Sequence, residues 1–123
     1  MKVLMSIKPE FASKIFDGSK RYEFRRIIFK QLAVKTVVVY ASSPTQKVIG
    51  EFEIESILEH PPKELWNRTR EGAGIGKDHF MAYFGDKRVG YAIRIKATKR
   101  YRKPKCLKTD YNLKPPQSYL YLA

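Results

Sequence analysis

Apolar and polar positions along the first 60 residues change their period several times, and each change marks an element. Residues 2–7, KVLMSI, form a short apolar run of the kind found in a mostly buried strand. Lys8 precedes a proline and is biased to extended backbone. Pro9 suits the first turn of a helix. Phe11, Ala12, Ile15 and Phe16 then fall on one helical face, with Glu10, Ser13, Lys14 and Asp17 on the other. Gly18 is placed to end that helix. A second strand is expected over residues 20–28. TVVVYA, residues 36–41, is β-branched and apolar and predicts a buried third strand. Pro44 marks a turn over 42–46. From 48 to 57 the pattern alternates strictly. Val48, Gly50, Phe52, Ile54 and Ser56 share one face, and Glu51, Glu53 and Glu55 the other, as in a half-buried strand with an acidic outer side.

The second half is more broken. His60-Pro61-Pro62 ends the alternation and opens a helix over 62–70, with Leu65 and Trp66 facing in. GAGIGK, residues 72–77, superficially suggests a phosphate loop. Glu71 stands where the first P-loop glycine belongs and Asp78 where Ser or Thr belongs, so a flexible connection is the better reading. Asp78 is expected to cap a short helix running through Phe84. Residues 89–98 alternate again, with Val89, Tyr91, Ile93 and Ile95 inward and Arg94 and Lys96 outward. Residues 99–117 contain Pro104, Pro115 and Pro116, show no period and read as a basic loop. SYLYL, 118–122, is a closing strand. The expected order is β-α-β-β-β-α-α-β-β. This is an α+β chain of five to six strands and two or three short helices, best arranged as a small, closed or nearly closed barrel. Its 123 residues suffice for one domain, taken here as residues 1–123.

Charge adds a partner class. The chain has 25 Lys+Arg against 12 Asp+Glu, a formal net charge of +13, which favours nucleic acid or another polyanion. The basic residues concentrate in Arg94, Lys96, Lys99, Arg100, Arg102, Lys103, Lys105 and Lys108, where they are expected to track a phosphate backbone. With the glutamates clustered at 51, 53, 55 and 59, one basic side and one acidic side are expected. The single cysteine, Cys106, excludes an intrachain disulfide and reads as an incidental thiol in a reducing, cytoplasmic setting. His60 and His79 have no companions at zinc spacing, so no metal or cofactor is expected. No apolar run approaches the roughly 20 residues of a membrane helix, and the opening apolar stretch is too short for a secretory leader. A monomer is the default.

The chemistry concentrates in GSKRYEFRR, residues 18–26. Strand alternation puts Arg21, Glu23 and Arg25 on one face and Tyr22, Phe24 and Arg26 on the other, with the aromatics expected to pack into the barrel. Gly18, Lys20, Glu23 and Arg25 match the G-x-K-x-x-E-x-R signature, and the chain resembles the ASCH domain family. The flanking LMSIKPEFASKIFDGSK, DHFMAYF, GYAIRI and PPQSYLYL extend that resemblance over most of the chain. It implies a PUA-like β-barrel, a role in RNA binding or RNA-linked and transcriptional regulation, and a cleft lined by Lys20, Glu23 and Arg25, with Lys8 and Arg26 beside it. Lysine and arginine suit phosphate, and glutamate can accept from a base. Tyr40 and Tyr119 are candidate platforms for an unpaired base. An RNA-binding module is therefore the leading expectation. The alternative is a small amidohydrolase acting on an acylated cytidine, with Lys20 and Glu23 as its reacting groups. Hydrolases of that kind resemble a version of the motif with threonine at the place of Glu23, which weighs toward binding.

Overall fold

A computed structural model describes residues 1–122. Six strands form one curled mixed sheet in the order β2-β5-β4-β3-β1-β6. The strands are β1 (Lys2–Ile7), β2 (Tyr22–Arg25), β3 (Thr36–Ala41), β4 (Lys47–His60), β5 (Gly90–Lys105) and β6 (Tyr119–Leu122). The helices are α1 (Pro9–Asp17), α2 (Pro62–Thr69), α3 (Lys77–Phe84) and α4 (Leu107–Tyr111), with a 3-10 turn at Arg70–Gly72. Only β1 and β3 pair in parallel; every other pairing is antiparallel. The result is an α+β half-barrel with the expected six strands, curled but not closed, in keeping with the PUA-like barrel that the resemblance implies.

The apolar runs of β1 and β3 are explained by cover on both sides. Val3, Met5, Val37 and Val39 join Ala12 and Ile15 of α1 in one core, with Phe52 and Ile93. Leu4, Val38 and Val48 face the other way, onto Leu107 of α4. A third cluster lies under α2 and α3: Leu65, Phe80 and Phe84 pack on Phe24 and Ala92. Pro9 stands in the first turn of α1 and Gly18 closes the helix at φ +87°, a conformation that favours glycine. Gly50 is needed for a different reason. A Cβ there would stand 2.7 Å from the Phe16 ring and 2.6 Å from the Lys99 carbonyl oxygen, so glycine lets α1 sit down on β4.

Several expectations change. β2 ends at Arg25, before the residue 28 that the apolar pattern suggests. Residues 99–105 continue β5 as a 16-residue strand, and 107–111 add a short helix, so the basic segment is largely regular structure. Pro104 and the charges conceal a strand end that pairs with the first residues of β4, which β3 flanks on the other side. The two aromatics of β2 face the opposite side from that expected. Glu23 pairs with Ile93 of the α1-side core, while Phe24 pairs with Ala92 under the helices. Cross-strand partners share a face, so the polar half of the strand points into the curl. Asp78 lies inside the first turn of α3; Gly76 is the capping position and no side chain caps it. Gly72 and Ala73 are buried, so the glycine-rich connection is packed.

The acidic and basic sides also fail to separate. β4 and β5 are neighbours, with Glu51 opposite Lys99 and an Arg94–Glu55 contact of 2.8 Å. The glutamates and the basic run interleave on one ribbon. Among the described residues, no helix is long and apolar enough to cross a membrane.

Candidate functional site

A cleft of about 610 Å3 opens where β1 and β3 end. Ser6 and Tyr40 contribute one wall, and Lys8 and Phe11, at the start of α1, another. Lys20, Glu23 and Arg25 form the floor along β2. His79 and Tyr83 of α3 and the segment 115–117 complete the rim. The geometry follows from topology. The two parallel strands end together, α1 starts beside them, and the chain returns as β2 at the sheet edge.

The three motif residues are buried despite their charges: Lys20 is 3 % exposed, Glu23 6 % and Arg25 9 %. Buried charges require partners. Lys20 Nζ donates to the Ala73 carbonyl at 2.9 Å and lies 4.5 Å from the Phe24 ring centroid and 5.5 Å from that of Phe11. Burial pushes its pKa down to about 8, with Lys14 adding to the fall and Glu23 opposing it. Lysine has three N–H donors. Among the described residues one of them is used, which leaves Lys20 able to donate into the cleft.

Arg25 is differently placed. Its Nη1 donates to Glu23 Oε2 at 3.2 Å and to the Ser6 carbonyl at 3.4 Å. Its Nη2 donates to the Ser118 carbonyl at 3.1 Å and to Ser118 Oγ at 2.8 Å. One guanidinium therefore ties β2 to β1 and to the residue that leads into β6. These strands include both edges of the sheet, so Arg25 acts as the clasp of the half-barrel. Among the described residues, Glu23 Oε1 has no hydrogen-bond partner. No polar side-chain atom among the described residues is both buried and unpartnered, so this oxygen keeps contact with the cleft. Together they give an ammonium that can shed its proton near neutral pH and a carboxylate oxygen held by an arginine.

The other predicted residues divide. Tyr40 lines the cleft and is 5 % exposed. Lys8 is exposed at its rim. Arg26 is exposed and lines a neighbouring shallow depression with Arg25 and Ile27. Tyr119 lies outside the cleft, packed edge-on against Phe29, because β6 turns that side chain toward the core. Along β5, Arg94 pairs with Glu55, Arg100 covers Phe16 and Lys105 covers Tyr101. Lys96, Lys99, Arg102 and Lys103 are exposed beside them. None of these seven lines the cleft. Sequence reasoning missed Phe11, His79 and Tyr83. A usable signal existed for the last two: they stand four residues apart on one face of α3, beside the buried Phe80 and Phe84. The Tyr83 hydroxyl donates to the Phe24 carbonyl at 3.1 Å, and the His79 ring meets Phe11 edge-on at 5.4 Å.

Residues 1–113 match the family described as a domain of unknown function, DUF365. The "ASCH domain-containing ribonuclease" of Zymomonas mobilis is 31% identical over 124 residues, covering 98% of this chain and 84% of that protein. The chain is an ASCH domain protein. The crystal structure of ASCH from Zymomonas mobilis superposes with a TM-score of 0.88 at 30% identity, covering 99% of this chain and 87% of that one. Two Ureaplasma parvum proteins also match over 98% of the chain: ATP synthase subunit alpha at 31% identity and large ribosomal subunit protein uL22 at 32%. This ASCH chain spans only 15% and 39% of their respective lengths.

Proposed function

We propose that this ASCH protein binds RNA and holds an unpaired nucleotide in the cleft between β1, α1, β2 and α3. The observation that carries the reading is the convergence of Lys20 and Glu23, both buried, on one 610 Å3 space with a spare donor and a spare acceptor. A base in the cleft offers amino and imino hydrogens to Glu23 Oε1, and its keto or phosphate oxygens accept from Lys20. Phe11, His79 and Tyr40 supply ring surface for stacking. The overall charge of +13 supplies attraction. Exposed Lys96, Arg102 and Lys103 of β5 extend the basic surface for the strand outside the cleft. The name of the Zymomonas relative supports RNA as the ligand class. The test is binding of single-stranded and duplex RNA at low and high salt. Single strands bind better, and affinity falls steeply as salt rises. Absence of RNA binding at low salt, or a flat salt response, overturns the reading.

A second reading is hydrolytic, and the state of Lys20 favours it. An amine with a pKa near 8 is partly neutral at physiological pH and serves as a general base or nucleophile. The substrate is then either an RNA phosphodiester, as the relative's name suggests, or the amide of an acylated cytidine. Incubation with a labelled oligoribonucleotide and with N4-acetylcytidine separates the two. No product from either excludes catalysis on both. A regulatory role rests on the binding reading and needs no hydrolysis.

A further inference from the structure

A second concavity, of about 360 Å3, has Gly72 in its lining, one residue before the Ala73 carbonyl that holds Lys20 in the cleft. Arg21, Arg68, Arg70 and Arg94 line it, with Glu71 as the single acid. Tyr22 and Asn67 add a ring and an amide. Four guanidinium groups on one small concave surface would repel one another unless an anion or carboxylates lie between them. Only two have carboxylate partners. Arg68 pairs with Glu64 and Arg94 with Glu55, both through solvent-exposed contacts that are weak and easily exchanged. Arg21 and Arg70 have no ion-pair partner among the described residues.

The groove is also built, since Arg21 is held in place on three sides. Its N–H donates to the Gly72 carbonyl at 2.8 Å, and its carbonyl accepts from Ile95 N–H at 3.0 Å. Its aliphatic stem lies on Gly72, where a Cβ would stand 3.1 Å from the Arg21 Cβ and Cδ. A glycine at 72 therefore makes room for the arginine to reach the groove. The next glycine, Gly74, does the same for Lys20 on the cleft side. Lys20 and Arg21 are adjacent residues, so the two sites begin about 4 Å apart along the backbone.

We propose that the arginine groove binds phosphate groups of the RNA strand next to the nucleotide held in the cleft. Guanidinium recognises phosphate bidentately, and Tyr22, packed beside Phe24, lines the same groove. This deepens the RNA-binding reading and rests on it for the identity of the polyanion. The two are nevertheless separable, because each has its own residues.

The experiment titrates a fluorescent single-stranded octaribonucleotide and a mononucleotide into four proteins. These are wild type, Arg21→Gln/Arg70→Gln, Lys20→Met, and a control, Lys108→Gln/Lys114→Gln, that loses the same charge elsewhere. All four exchanged groove and control residues are exposed, and thermal melts verify that each variant folds. The groove variant loses tenfold or more in octamer affinity, and its log–log salt slope falls by about 1.4, roughly 0.7 for each arginine removed from a single strand. Its mononucleotide affinity stays within twofold of wild type, and the control variant binds the octamer within threefold of wild type. Octamer affinity unchanged in the groove variant, or reduced equally in the control, overturns the proposal. If the groove variant loses the octamer while Lys20→Met does not, the groove stands and the cleft reading fails. If wild type binds neither RNA, both fail.

Discussion

Burying an ammonium at the floor of a cleft costs stability, and Lys20 makes that cost measurable. Its pKa falls from the ordinary 10.5 to about 8 in the folded chain. Below pH 8 the amine is protonated in both states, and the folded state carries the full penalty, about 3 kcal/mol. Between pH 8 and 10.5 the unfolded chain binds more protons than the folded one, so the penalty is relieved and stability rises with pH. At pH 9.5 about 1 kcal/mol remains. Lys20→Met keeps the length of the side chain and removes the titration. It also forfeits one hydrogen bond to the Ala73 carbonyl and the contact with Phe24, together worth about 1–2 kcal/mol. The variant is therefore more stable than wild type at pH 7 by about 1–2 kcal/mol, and the advantage shrinks by about 2 kcal/mol at pH 9.5. Urea unfolding of both proteins at the two pH values measures this directly. A stability difference that is the same at both pH values refutes the buried, proton-shedding lysine.

Further predictions address the clasp and the packing. Arg25→Ala leaves the Glu23 carboxylate buried without its partner and unlinks Ser118 and Ser6, and should cost about 3–5 kcal/mol. Glu23→Gln keeps a hydrogen-bond acceptor for Arg25 and should cost less than half of that; denaturant melts that rank the two the other way contradict the clasp. Gly74→Ala places a side chain at φ +69° and 2.6 Å from the Lys20 Cβ, so it should lower both stability and nucleotide affinity, whereas Gly76→Ala, with open space around it, should change neither by more than about 0.5 kcal/mol. Gly50→Ala drives a methyl into the Phe16 ring and a backbone carbonyl, and should destabilise by about 1–3 kcal/mol in thermal or chemical unfolding.

Local pattern carried most of the fold. β1, α1, β3 and β4 are each dominated by near-neighbour rules: an apolar run, a 3.6-residue stripe, β-branching, strict alternation. The β2 aromatics face the side opposite to the expected one because alternation separates two faces without saying which one is the interior. That depends on α2 and α3, which cover the Phe24 side from 40 or more residues away in sequence. The end of β5 was hidden for a related reason. Its basic, proline-bearing sequence offers only Tyr101 to the core, and pairing with β4 holds it extended. At the site, residue types were readable and partnerships were not. Arg25 looks like a phosphate ligand in sequence, and only the approach of Ser6 and Ser118 from remote segments reveals a clasp. His79 and Tyr83 were visible as a helical pair, but their meeting with β2 required the tertiary fold.

The central claim is that RNA enters the cleft above Lys20 and Glu23. Backbone amide NMR of the 15N-labelled protein, titrated with a short single-stranded oligoribonucleotide, tests it most directly. The account predicts saturable shifts concentrated in residues 6–11, 20–25, 75–83 and 115–117. Shifts confined to the exposed face of the β4–β5 ribbon, with the cleft unmoved, contradict it.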